Sequence, residues 1–192
     1  MYANRIDSDL DVAMPRAARW FLLPVACALL LAGCGGKHPY LPTVERVDLD
    51  RYLGTWYEIA RYPAPFQEGC VATSATYSLR DDGRIRVLNR CLVERFDGEL
   101  REAEGRAKIV DEATNAKLKV TFFWPFYGDY WVLGLGPDYE WALIGEPSRK
   151  YLWILSRTRQ MDPSVYADIV ARLPALGYDP ERLLVTPQPV AE

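Results

Sequence analysis

The sequence predicts an all-β fold, an eight-stranded antiparallel up-and-down barrel with one C-terminal α-helix packed against its outside. Three observations predict it. β-Branched and aromatic runs recur at the roughly 8 to 12 residue spacing expected of barrels and sandwiches. Hairpin turn residues punctuate them, as in Asp81-Asp82-Gly83 and Phe96-Asp97-Gly98. A single proline-capped amphipathic stretch follows the last run. Successive short connections make a meander, and eight strands joined in that way close without leaving a free edge. A chain of 192 residues, 49% hydrophobic and 26% charged, has the composition of one globular domain with a targeting segment, not of a disordered or polytopic membrane chain.

At the amino end, Met14-Pro-Arg-Ala-Ala-Arg19 is cationic, and the apolar run from Trp20 to Ala32 is too short to cross a bilayer comfortably. Small residues follow at Gly33, Cys34, Gly35 and Gly36, so residues 1 to 33 read as a signal peptide. Asp7, Asp9 and Asp11 do not suit the start of such a signal, and translation is expected to begin at Met14. Leu31-Ala32-Gly33-Cys34 resembles the bacterial lipobox. That resemblance implies cleavage before Cys34, diacylation of its thiol and acylation of the new amino terminus; Gly35 in place of Asp implies the outer membrane as destination. An ordinary secretory signal with an incidental Cys34 is the alternative. Residues 34 to 47, with Pro39 and Pro42 and no helical or strand period, read as a lipidated tether, and residues 48 to 188 as the barrel domain.

Within the domain, Asp48 to Tyr52 predicts a short helical turn. Strands are expected at about 54 to 62, 71 to 80, 84 to 91, 100 to 110, 116 to 124, 129 to 136, 139 to 146 and 150 to 157. In the fourth, Ala103, Gly105, Ala107 and Ile109 share one face, opposite Glu102, Glu104, Arg106 and Lys108. The small set is expected inside, where it leaves volume unfilled in a barrel just wide enough for packed side chains or one small ligand. Leu118, Val120 and Phe122 extend the apolar lining. Asp162-Pro163 is a helix start and Gly177 a C-cap, with Val165, Ile169, Val170 and Leu173 at helical spacing between them. Leu183 to Val185 predicts a short final strand.

Gly54-Thr-Trp-Tyr-Glu-Ile-Ala-Arg61 resembles the first sequence motif of the lipocalins in its bacterial, apolipoprotein D-like form. Pro137-Asp-Tyr-Glu-Trp-Ala-Leu-Ile144 resembles the second motif and Leu155-Ser-Arg-Thr158 the third, in the family's order. The resemblance covers about residues 45 to 188. It implies a structural role for Gly54, Trp56 and Arg157: the indole plugs the closed end of the barrel and the guanidinium stacks across it. It also implies a ligand class, fatty acids or lysophospholipids. If Arg157 points inward, parity turns Leu155, Trp153 and Tyr151 inward as well, nearer the open end. Tyr77 and Val87 are placed similarly on strands two and three. The expected ligand-lining residues are therefore Trp153, Tyr151, Leu155, Tyr77, Val87, Gly105, Ala107 and Phe122; plain filling of the barrel by these side chains is the competing reading.

Cysteine usage points to an oxidising compartment. Cys27 leaves with the signal and Cys34 goes to lipid, so Cys70 and Cys91 are expected to form a disulfide, given a small bulge after Gly69 that brings them into register. A net charge of -3, unchanged by removal of residues 1 to 33, gives no electrostatic reason to approach nucleic acid. The only histidine, His38, lies in the tether, so no histidine triad or histidine metal cluster belongs to the barrel; no catalytic residue, metal or cofactor is expected. The segment Phe122-Phe-Trp-Pro-Phe-Tyr127 is too apolar for a mere hairpin tip and marks a ligand entrance, a membrane contact or a homodimer interface, with local packing across the barrel mouth as the competing reading. The functional expectation is an outer-membrane lipoprotein, its barrel facing the periplasm, that binds or transports a hydrophobic small molecule. An envelope assembly lipoprotein and an enzyme acting on a hydrophobic substrate are the alternatives.

Overall fold

The computed structural model describes residues 38 to 190. The expected signal peptide, the start at Met14 and Cys34 lie outside the described residues. A short helix α1 (Leu49–Tyr52) precedes the strands β1 (Gly54–Arg61), β2 (Cys70–Leu79), β3 (Ile85–Val93), β4 (Leu100–Ile109), β5 (Lys117–Phe123), β6 (Phe126–Leu135), β7 (Trp141–Gly145) and β8 (Leu152–Ser156); helix α2 (Pro163–Arg172) and a two-residue strand β9 (Leu184–Val185) follow. Every neighbouring pair is antiparallel, and β1 pairs with both β8 and β2, closing an eight-stranded barrel. The boundaries differ from the sequence reading most at β6, which begins three residues early. Its first residue, Phe126, pairs with Phe123 across the tight turn Trp124-Pro125, so the aromatic segment continues the ladder.

Strand alternation divides the apolar side chains into two layers. Trp56, Tyr77, Val87, Ala107, Leu118, Val132, Ile144 and Leu155 face the barrel interior. Leu143, Leu152 and Ile154 face outward and are buried against Ile169 and Leu173 of the α2 region. Asp162 caps α2 by accepting the Ser164 amide at 2.7 Å. The helix stops at Arg172, ahead of the expected Gly177, because Pro174 has no amide to continue the ladder; Gly177 instead ends a following 3-10 turn at φ +80°.

The closed end is built as the motif residues imply. Trp56 is fully buried, and its Nε1 donates to the Tyr52 carbonyl at 2.8 Å. The Arg157 guanidinium lies 3.8 Å from the centre of the indole ring. It donates to the carbonyls of Thr55 at 3.0 Å, Tyr52 at 3.2 Å and Tyr139 at 3.3 Å, tying β1, α1 and the β6–β7 turn together.

The segment read as a tether is fixed to the barrel from Pro39 on. Leu41 and Val47 are buried, the Val44 and Val47 amides donate to the carbonyls of Val132 and Thr114, and Arg149 donates to the carbonyls of Pro39 and Tyr40. Its two prolines keep it extended without internal hydrogen bonds, and that leaves its apolar side chains free to pack.

Cys70 and Cys91 are bonded, with Cα atoms 5.4 Å apart. The bulge that aligns them falls at Ala72, with φ at +51° between the paired positions Val71 and Ser74, and not directly after Gly69.

Candidate functional site

The inner face of the barrel supplies the candidate site. At its floor, three tyrosines from α1, β2 and β6 converge: the Tyr130 hydroxyl is 2.7 Å from that of Tyr52 and 3.0 Å from that of Tyr77. Burial, above all other influences, pushes all three phenols up, Tyr77 to about 12, so the trio is neutral at physiological pH. Three hydroxyls carry three donors and spend only two on one another. One O–H remains to be offered to water or to a bound polar group.

The walls are apolar. Val87, Ala107 and Leu155 are buried in this interior cluster together with Tyr77, and Phe122 and Trp153 pack against it partly exposed. Gly105 does not line open volume. A Cβ there would stand 2.7 Å from the Thr121 carbonyl and 2.8 Å from the Phe122 ring, because the phenylalanine lies across the glycine on the neighbouring strand. The small inner residue that does meet solvent is Ala103, paired with Asn89 one step nearer the open end.

Toward the mouth, the Trp153 Nε1 donates to Gln67 Oε1 at 2.9 Å. Tyr151 stacks on Trp153 at 5.9 Å, and Phe66 packs on Tyr151 at 5.6 Å. Gln67 in turn donates to Glu58 Oε2 at 2.6 Å, while the other carboxylate oxygen accepts from Thr186 at 2.6 Å and lies 3.1 Å from Arg61 Nε. Glu58 is almost wholly buried, and the loss of water raises its carboxyl pKa despite the hydrogen bonds from Thr186 and Gln67 and the adjacent Arg61 charge. This network escaped the sequence reading, yet its signal was available: Glu58 stands two residues after Trp56, on the same face of β1.

The network closes a gap in the wall. β1 and β2 pair only from Gly54–Tyr77 to Tyr57–Ser74, and beyond that they separate. The C-terminal segment fills the opening: β9 pairs with Ala60 and Arg61, the Ala72 amide donates to the Pro187 carbonyl, and Gln188 Nε2 donates to the carbonyls of Glu58 and Thr73 at 2.9 and 2.8 Å.

The eight residues expected to line the interior fall in three settings. Tyr77, Val87, Ala107 and Leu155 lie deep, Trp153 and Tyr151 lie at the mouth, and Gly105 with Phe122 forms a packed pair in the wall. Among the described residues, no group of three or more His, Cys, Asp or Glu side chains is placed to hold a metal ion.

Residues 47 to 188 match the family model described as a lipocalin-like domain. The outer membrane lipoprotein Blc of Escherichia coli (strain K12) is 40% identical over 174 residues, covering 88% of this chain and 98% of the relative. Temperature-induced lipocalin-1 of Arabidopsis thaliana is 45% identical over 157 residues, covering 77% and 83%. In fold, the barrel resembles insecticyanin from the tobacco hornworm Manduca sexta, with a TM-score of 0.64 at 22% identity over 82% of this chain and 88% of that one. A closed eight-stranded barrel, a tryptophan floor under an arginine and a family match spanning nearly all the described residues agree: this chain belongs to the lipocalin-like family.

Proposed function

We propose that this protein is an outer-membrane lipoprotein, anchored through lipid on Cys34, whose barrel binds an amphiphile with a single acyl chain, a fatty acid or lysophospholipid, in the periplasm. The observation that carries the ligand reading is the neutral tyrosine trio at the floor of an apolar barrel, with one O–H donor left over. An acyl chain suits the apolar walls, and a polar group suits either that donor or the Trp153–Gln67 pair at the mouth. The anchor reading is supported by the lipobox-like residues 31 to 34 and by relatives named as outer membrane lipoproteins. The acid–base groups nearest the interior are held in bonds that favour binding over turnover: Glu58 is engaged by three neighbours, and the tyrosines are neutral.

The test is a titration with cis-parinaric acid and with lysophosphatidylethanolamine. Each ligand is expected to change tryptophan emission and to raise Tm, since a ligand that binds only the folded state stabilises it by RT ln(1 + [L]/Kd). Trp153→Ala should weaken binding about tenfold by removing a wall and the Gln67 contact at the mouth, with the fold retained. If neither amphiphile shifts emission or Tm, the ligand class is wrong.

A further inference from the structure

The hairpins of the open end carry an exposed aromatic rim. The β5–β6 tip presents Phe123, Trp124 and Phe126, with Tyr127 beside them; Trp124 is 76% exposed. Phe66 from the β1–β2 connection and Phe96 from the β3–β4 turn are exposed at the same end. From Thr121 to Gly128 there is no charged residue. Lys108 places its Nζ 4.9 Å above the Tyr127 ring. Arg95 and Asp97, which flank Phe96, are paired with each other at 3.1 Å. Uncharged Trp, Phe and Tyr with a lysine laid along them have the composition of a surface seated at the level of lipid headgroups.

The amino-terminal arm leaves the barrel at that same end. Arg149, in the turn between β7 and β8, donates to the Pro39 and Tyr40 carbonyls at 2.8 Å each. From there the chain runs along the wall to Val47 at the closed end, where its amide meets Thr114. Cys34 precedes Pro39 by five residues, a reach of at most about 18 Å. A ten-residue strand such as β6, tilted as barrel strands are, rises about 25 Å. An anchor on Cys34 therefore reaches the bilayer from the mouth and not from the closed end.

We infer that the open end docks on the lipid bilayer that holds the anchor, with Phe123, Trp124 and Phe126 inserted among the headgroups, so that the barrel exchanges its ligand with the membrane directly. The inference rests on lipidation of Cys34, and its test separates the two.

The full lipidated chain is reconstituted into phosphatidylethanolamine and phosphatidylglycerol vesicles whose acyl chains are brominated near the ester, and compared with Trp124→Phe. The emission that belongs to Trp124, read as the difference between parent and variant, is expected to fall about twofold or more relative to unbrominated vesicles. In parallel, an alkyne analogue of palmitate should label the parent and not Cys34→Ser. Label on the parent with no quenching of Trp124 leaves the anchor intact and overturns the docking. Absence of label on the parent removes the anchor and the docking with it. Crosslinking of two copies through Phe123 or Phe126, with Trp124 unquenched, assigns the rim to a dimer and likewise overturns the proposal.

Discussion

Two residues reverse what their types suggest. Gly105 looks in sequence like unfilled volume, but its missing side chain is the space that the Phe122 ring occupies, so the pair packs as aromatic over glycine on adjacent strands. Gly105→Leu is therefore expected to destabilise the fold by about 1 to 3 kcal/mol through overpacking against the Thr121 backbone, measurable by denaturant titration. Ala103→Leu, at an inner position open to solvent, is expected to block ligand at little cost in stability; equal stability of the Gly105 variant and the parent would refute the packing argument. Glu58, one of the many charged residues by composition, is buried, and its carboxyl pKa is raised above the ordinary 4.5 chiefly by desolvation. A carboxyl raised on folding binds more protons folded than unfolded, so its contribution favours the fold below 4.5 and is lost as pH rises through the raised value. Glu58→Gln removes that term. The stability of the parent relative to Glu58→Gln should thus increase as pH is lowered from 7 through the carboxylate range, seen as a pH-dependent difference in Tm; a difference constant with pH would count against it.

At the scale of elements, the barrel is closed by two different means. Near the floor, β1 and β2 pair directly, while toward the mouth the chain from Leu184 to Gln188 supplies the missing hydrogen bonds. Truncation after Leu183 leaves the Glu58 and Thr73 carbonyls without Gln188, the Ala72 amide without Pro187 and the Glu58 carboxylate without Thr186. Each orphaned buried group costs about 1 to 3 kcal/mol where water does not replace the partner. The truncated protein is expected to melt several degrees lower, and amide exchange should accelerate selectively at Ala72, whose amide loses the Pro187 carbonyl; uniform exchange would argue that the segment is ornamental to the seam. The sequence located the eight barrel strands by their alternation and the short final strand at Leu183 to Val185 by its apolar run, but the three loop residues Thr186, Pro187 and Gln188 that bond the seam have no period to detect.

For the whole molecule, the arrangement of arm, mouth and helix gives the barrel a direction. The arm leaves at the open end, and the α2 region packs on the outer wall formed by β1, β6, β7 and β8. Cys34→Ser, processed by the general secretory route, is expected to move the protein from the membrane fraction to the soluble periplasm, scored by fractionation and immunoblot; persistence in the outer membrane would mean that something other than the Cys34 lipid holds it. By itself, the sequence determined the strand count, the outer helix, the tryptophan and arginine of the closed end and the inward parity of Tyr77, Val87, Ala107 and Leu155, because these follow from local period, turn chemistry and short motifs. Only the tertiary structure decided that Gly105 is filled, that Glu58 is buried with Gln67 and Thr186, that the C-terminal segment completes the wall and that the arm exits beside the aromatic rim. Each of these joins residues far apart in the chain, 128 positions in the case of Glu58 and Thr186, and such pairings are set by how the sheet closes, which no local pattern encodes.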